Sequence, residues 1–308
     1  METLATIFPI LAVCALGYFS AKKNFISELD SESLSKFVFT FLIPPLLFMG
    51  TAKASMPEGM VWEYLFAYFL AVLFVYILGV CIAKYALNYN EQEQSVFGMG
   101  SSYSNVTIVG IPLCVFILGE QALLPLFIII SVHNLALFTL GILIAERRTL
   151  SLTSFFKSLF TIIKQLLMSP ITGALILGGL VNVLNISLYK PVEATIDLMA
   201  SAAIPAALFV LGASLNSYKI HGSLTPAFII VLLKMMIFPL VIWLFMFNFF
   251  SIDLLWAKTA LLASSMPIGI SVYIFSQKYQ ACEAPIATSI IISTLCSVLT
   301  LTLISAYY

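Results

Sequence analysis

Charge is what this sequence has least of. Only 9% of its 308 residues are Asp, Glu, Lys or Arg, far below the roughly 25% of a soluble globular domain. No polar stretch reaches the roughly 50 residues of a small independent domain, so no separate soluble module carries chemistry. Cys14, Cys81, Cys114, Cys282 and Cys296 form no CxxC pair, which argues against a zinc site and a disulfide framework. There is no phosphate-binding loop, so direct use of ATP is not expected. HExxH, GxSxG and paired carboxylates are also missing, which leaves an intramembrane enzyme without a base or nucleophile; no enzyme activity, cofactor or metal is expected.

Acidic residues are missing from inside the apolar runs as well. Glu120, Glu193, Asp197 and Asp253 all fall near predicted span ends. A buried carboxylate for a sodium ion or a proton is therefore not evident. Fourteen basic residues balance fourteen acidic ones, and nothing in that balance points to nucleic acid.

What fills the chain instead is apolar. Hydrophobic residues make up 61% of it and the mean hydropathy is +1.08, the composition of a polytopic protein of the lipid bilayer. Taking about 20 apolar residues per span predicts an all-α integral membrane fold of ten transmembrane helices. They lie at 4–21, 34–52, 62–87, 95–118, 121–145, 165–184, 194–214, 225–250, 255–277 and 283–305. The opening METLATIFPILAVCALGYFSAKK lacks a basic leader and a cleavage site, so it reads as a retained first span. In the central segment, Phe155, Phe156, Leu159, Phe160 and Ile163 recur at helical spacing beside Lys157 and Lys164, the pattern of an interfacial helix.

That segment joins two related halves. At an offset of 161, Pro9 matches Pro170, Gly17 matches Gly178, Ile43-Pro44 matches Ile204-Pro205, and Leu47-Phe48 matches Leu208-Phe209. At 162, Ser102 matches Ser264, Ile108 matches Ile270, and IIIS at 128–131 recurs at 290–293. Proline and glycine are scarce here, so their agreement carries the inference of a duplication: a first five-helix repeat over 1–147, a cytoplasmic interfacial linker over 148–164, and a second repeat over 165–308. Five spans is an odd number, so the second copy enters the membrane inverted, as in many secondary transporters. Placing the N-terminus outside puts Lys22, Lys23, Lys36, Lys84, Arg147, Arg148, Lys157, Lys164, Lys219 and Lys278 in the cytoplasm and leaves Lys53, Lys190 and Lys258 outside. Both termini are accordingly expected outside a cell (plasma or inner) membrane.

Two spans stand apart from the rest. The fourth carries SSYSNVTIVGIP and the ninth ASSMPIGISVY, polar and interrupted by glycine and proline at corresponding positions of the two halves. Backbone groups freed by such a break need protein or a wet cavity to satisfy them, so broken spans mark transport sites. The fourth offers Ser102, Ser104, Asn105, Thr107, Gly110 and Pro112, and the ninth offers Ser264, Ser265, Pro267, Gly269 and Ser271. Half-helix amino ends at the break suit an anion such as a carboxylate. Ionisable residues inside the apolar spans are few: His133, with Asn134 beside it, is a candidate proton relay, and Lys234 a candidate partner for an anionic substrate or a carbonyl. The positions matching His133 and Lys234 in the other half are Leu295 and Leu73.

NVTIVGIPL at 105–113, MPIGISVYIFSQKY at 266–279 and IPPLLF at 43–48 resemble the auxin efflux carrier family of membrane transporters, which includes plant auxin exporters and bacterial permeases for malate, malonate and similar acids. The resemblance covers the whole chain. It implies crossed broken helices 4 and 9, a transport bundle moving against a scaffold of the first, second, sixth and seventh spans, an organic acid substrate and a homodimer. On the matching positions, Asn105 would contact substrate and Pro112 would mark the crossover of the fourth helix. Val272 stands where the plant pattern has a second crossover proline, and the short central segment makes auxin itself an unexpected substrate. The function expected is secondary transport of a small organic anion by elevator-like alternating access. The alternative is a membrane receptor that binds a ligand without moving it.

Overall fold

A computed structural model describes residues 2–54, 61–148, 152–217, 224–250 and 252–307. Among them all regular structure is helical, save for one isolated antiparallel bridge between Ser104 and Ile268. In chain order the helices are α1 (Glu2–Lys22), α2 (Glu28–Phe37), α3 (Ile43–Ala52), α4 (Val61–Tyr85), α5 (Glu91–Ser102), α6 (Ile111–Leu118), α7 (Leu123–Ala145) and α8 (Leu152–Leu167). There follow α9 (Pro170–Val183), α10 (Lys190–Ser214), α11 (Leu224–Leu232), α12 (Phe238–Leu244), α13 (Leu254–Ser264), α14 (Ser271–Tyr279) and α15 (Glu283–Tyr307). Five helical stretches among the described residues are long and apolar enough to cross a membrane, six if the bent pair 155–165 and 170–183 is one span. The fourth and ninth predicted spans are instead each divided in two, α5 from α6 and α13 from α14.

The few polar residues between spans start the helices. Ser27 and Asp30 cap α2 reciprocally, Ser27 Oγ accepting the Asp30 N–H at 3.2 Å and Asp30 accepting the Ser27 N–H at 2.9 Å. Asn90 and Glu93 do the same for α5 at 2.9 Å each way. Asp253 accepts the Leu255 and Trp256 N–H groups ahead of α13. Such caps satisfy donors that have no partner inside the helix.

Proline shapes the spans from within. Wide π turns occupy Val38–Leu42, Val106–Gly110 and Leu233–Ile237, each immediately before an X-Pro pair, Ile43-Pro44, Ile111-Pro112 and Phe238-Pro239. A proline ring clashes with the carbonyl four residues back and offers no N–H to it, so the preceding turn widens. A fourth π turn, Phe245–Phe249, has no proline behind it.

The helices gather into two compact units. The first comprises Met1–Glu58, Thr107–Phe127 and Gln165–Tyr218. Within it α1 packs along α10, and α3 along both α9 and α10. Glycines permit the close approach: a Cβ on Gly17 would overlap the Phe209 carbonyl oxygen, one on Gly212 the Cys14 carbonyl oxygen, and one on Gly178 would lie 2.6 Å from the Phe48 carbonyl oxygen. Asn182 Nδ2 donates to the Thr51, Ala52 and Ala54 carbonyls at 3.1, 2.9 and 2.7 Å and so caps α3. Lys53 pairs with Glu193 at 2.8 Å.

The second unit comprises Gly59–Val106, Ile128–Lys164 and Lys219–Tyr308. Its core includes the fully buried Tyr64, Tyr68 and Tyr76 of α4, and Tyr76 Oη donates to the Ser95 carbonyl at 3.1 Å. Ser95 Oγ in turn donates to the Gly141 carbonyl at 2.7 Å, tying α5 to α7. At one end Arg148 and Arg147 reach Glu91 at 2.9 and 3.5 Å, and Tyr279 Oη donates to Glu146 at 2.7 Å. The expected linker is helical over α8 with Phe156 and Phe160 exposed. Residues 149–151 and Lys219 lie outside the described residues.

In lipid, helices associate by close packing rather than by hydrophobic burial, so small residues at crossings carry stability. Gly212→Val should lower the melting free energy in detergent by about 1–3 kcal/mol, the cost of forcing an overpacked crossing apart. Gly173→Ala, whose added Cβ meets nothing within 4 Å, should stay within about 0.5 kcal/mol of the parent.

Candidate functional site

The breaks in the fourth and ninth spans meet inside the second unit. α5 stops at Ser102, and Tyr103 turns extended at φ −82° and ψ 115°. α13 stops at Ser264, where Pro267 removes an N–H that a continuing helix needs, and α14 begins at Ser271. The extended stretches run antiparallel: Asn105 N–H donates to the Pro267 carbonyl at 2.8 Å, Gly269 N–H to the Tyr103 carbonyl at 3.4 Å, and Ser104 bridges Ile268. Gly269 is required here, because a Cβ would press on the Tyr103 ring.

Buried backbone groups must find partners, and at this crossover three side chains supply them. Lys234, fully buried in its π turn, donates from Nζ to the Ser264 carbonyl at 2.5 Å and to the Met266 carbonyl at 2.8 Å. The same nitrogen lies 5.1 Å from the Phe238 ring centroid. His133, also fully buried, accepts the Ser104 N–H on Nε2 at 3.3 Å. An imidazole that accepts on Nε2 carries its proton on Nδ1, and that Nδ1 has no hydrogen-bond partner among the described residues. Ser293 Oγ accepts the Ile268 N–H at 3.1 Å.

The serines nominated from sequence are placed at the break, but their hydrogens go to their own helices. Ser102 Oγ donates to the Gly98 carbonyl at 3.0 Å, and Ser264 and Ser265 both donate to the Leu261 carbonyl, at 2.7 and 2.8 Å. All three are fully buried. Asn105, Asn134 and Ser271 are half-buried instead. Tyr103 reaches one of them, its hydroxyl donating to Asn134 Oδ1. Pro267 and Gly269 lie in the crossover itself, and Val272 lies inside α14.

Thr107, Gly110 and Pro112 belong to the first unit, in the π turn and the first turn of α6. The structure therefore gathers Asn105, His133, Asn134, Lys234, Ser264, Ser265, Pro267, Gly269 and Ser271, with Ser102 one turn away, in the second unit. Sequence reasoning passed over Tyr103 and Ser293, and it nominated Ser104 for its hydroxyl where the crossover uses its N–H. Tyr103 lies within the polar stretch that was singled out, and Ser293 closes the repeated IIIS string. A separate cavity of about 1040 Å³ in the same unit is lined by Phe66, Phe69, Leu73, Leu135, Ala136, Leu140 and other residues, none of them at the crossover. Its apolar walls do not suit an anion.

Apolar helices of membrane-crossing length and a broken-span crossover built from backbone, amides and a buried lysine define a multi-pass membrane protein of the transporter class. Residues 3–305 match the family model described as "Membrane transport protein". The chain belongs to that family, the auxin efflux carriers. It is 24% identical over 304 residues, 98% of this chain and 94% of the relative, to a protein of Rhizobium meliloti (strain 1021) named "Putative malonate transporter".

Removing an acceptor from a buried N–H leaves that donor unsatisfied, at about 1–3 kcal/mol. Ser293→Ala should therefore lower the unfolding free energy in detergent by that amount. Ser131→Ala, an exposed hydroxyl bonded only to its own helix, should change it by less than about 0.5 kcal/mol.

Proposed function

We propose that this chain is a secondary transporter that moves a small organic anion across a cell membrane by elevator-like alternating access, with the substrate meeting the protein where the fourth and ninth spans cross. The observation that carries the reading is the crossover itself. Two broken spans are pinned together by Asn105 and Pro267, with the half-buried side chains of Asn105, Asn134 and Ser271 around Tyr103. These groups offer amide and hydroxyl donors to a carboxylate, and the amino end of α14 beside them favours negative charge. The name of the malonate-transporter relative makes a dicarboxylate the first substrate class to try.

An inverted duplication of 1–147 in 165–308, joined by the linker 148–164, underlies this proposal, and the packing supports it. Gly17 meets the Phe209 carbonyl and Gly178 meets the Phe48 carbonyl, two contacts that exchange under the offset of 161. Asn105 pairs with Pro267, its own equivalent under the offset of 162, as expected on a pseudo-two-fold axis. The ten-span count, both termini outside and a homodimer belong to the same proposal. The first unit holds α1, α2, α3, α9 and α10, the first, second, sixth and seventh spans that the proposal makes the scaffold, and with them α6, so its boundary runs through the fourth span.

A thermal-shift screen of mono- and dicarboxylates on purified protein, malonate among them, should find a ligand that raises the melting temperature. Proteoliposomes should then carry that ligand down its gradient, and Asn105→Ala, inserted normally, should lose most of the flux. Flux at the parental rate in Asn105→Ala would remove the site. Ligand-dependent stabilisation without flux under any gradient would make the protein a receptor.

A further inference from the structure

Lys234 is not placed as a group waiting for a substrate. Its ammonium is coordinated by the protein: two backbone carbonyls, those of Ser264 and Met266, at 2.5 and 2.8 Å, and the face of Phe238 at 5.1 Å. The carbonyls belong to the carboxyl end of α13 and the unwound segment after it. A half-helix carboxyl end with unwound carbonyls at a broken span is the place where cation-coupled transporters of this architecture hold their ion. The negative pole of α13 attracts positive charge there, and the ring face does the same.

Two further observations fit a cation supplied by the chain. The spans contain no deep Asp or Glu, and no group of His, Cys, Asp or Glu among the described residues could hold a metal ion. The turn is also shaped for the purpose, because Pro239 widens Leu233–Ile237 into a π turn that carries Lys234 fully into the core. The matching residue of the other half is Leu73, so the ammonium serves one broken span only.

We infer that the Lys234 ammonium is a resident cation standing in for the coupling ion, so that the carrier works without sodium, and that removing it exposes a carbonyl-lined site for a small monovalent cation. The inference rests on the transport reading for its flux consequence but not for its binding consequence. One experiment therefore has two readouts. Melting of purified parent, Lys234→Ala and Lys234→Gln is followed in sodium, methylammonium and choline chlorides at equal ionic strength, and substrate flux is followed in liposomes under the same salts.

The parent should melt and transport alike in all three salts. Lys234→Ala should melt lower in choline and recover with methylammonium or sodium, the shift growing with the logarithm of cation concentration. Its flux should fall in choline and return in part with the smaller cation. Choline, too bulky for a space vacated by one ammonium group and its stem, should rescue neither. Lys234→Gln, which keeps one donor without charge, should show the same salt response in weaker form and covers the case in which the alanine variant does not insert. Sodium dependence of the parent would overturn the inference. So would variants that melt lower but respond equally to all three salts, since Lys234 would then be only a hydrogen-bonding brace. If no anion is transported by any form, the transport reading fails while the melting response still decides the cation site.

Discussion

Everything about this molecule turns on one constraint: a helix broken inside hydrocarbon must have its freed N–H and C=O groups satisfied from within the protein. Here the satisfaction is divided between backbone and side chains. Asn105 and Pro267, Gly269 and Tyr103 pair backbone with backbone. The rest falls to Lys234 for carbonyls, and to His133 and Ser293 for N–H groups. An ammonium has only donors and a neutral imidazole nitrogen can accept, so each residue type matches the polarity of the groups it meets. His133 acts on the fourth span and Lys234 on the ninth.

Proline does the complementary work along the spans. The same chemistry that stops α13 before Pro267 also widens the turns ahead of Pro44, Pro112 and Pro239. The last of these aims Lys234 at the crossover from a neighbouring helix. A proline in one span thus positions the side chain that completes the break in another.

Much of this was legible in the sequence, for physical reasons. Glycine, proline and polar residues are expensive in an apolar span, so each one present has a cause, and the two stretches where they concentrate are the two that break. Asn105, Pro267 and Gly269 could be read because backbone disruption has a local signature. Which hydroxyls face outward could not, because Ser102, Ser264 and Ser265 satisfy themselves on the preceding turn, and a one-dimensional string does not record that. Tyr103 was hidden for another reason: in a chain this rich in aromatics its ring reads as apolar filler, and its hydroxyl acquires a role only once Asn134 of α7 is beside it. Ser293 depended on a register between α15 and the ninth span that only tertiary packing sets.

The distribution of hydrogen bonds also bears on selectivity. With the crossover's main-chain groups largely engaged by the protein, the proposed anion site is left with the half-buried amides and hydroxyls of Asn105, Asn134 and Ser271 and the Tyr103 hydroxyl that donates to Asn134. None of these carries charge, and no arginine stands in the second unit's crossover to clasp a carboxylate in bidentate fashion. On the inference drawn for Lys234, charge reaches the site at one remove, through an ammonium already ligated by carbonyls. A ligand held by neutral donors near a fixed, pre-ligated positive charge need not strip that charge of its partners in order to bind, and need not return them in order to leave. On the proposed transport reading such a site would favour anions without holding them tightly, which suits a carrier that must release its cargo on the far side of every cycle.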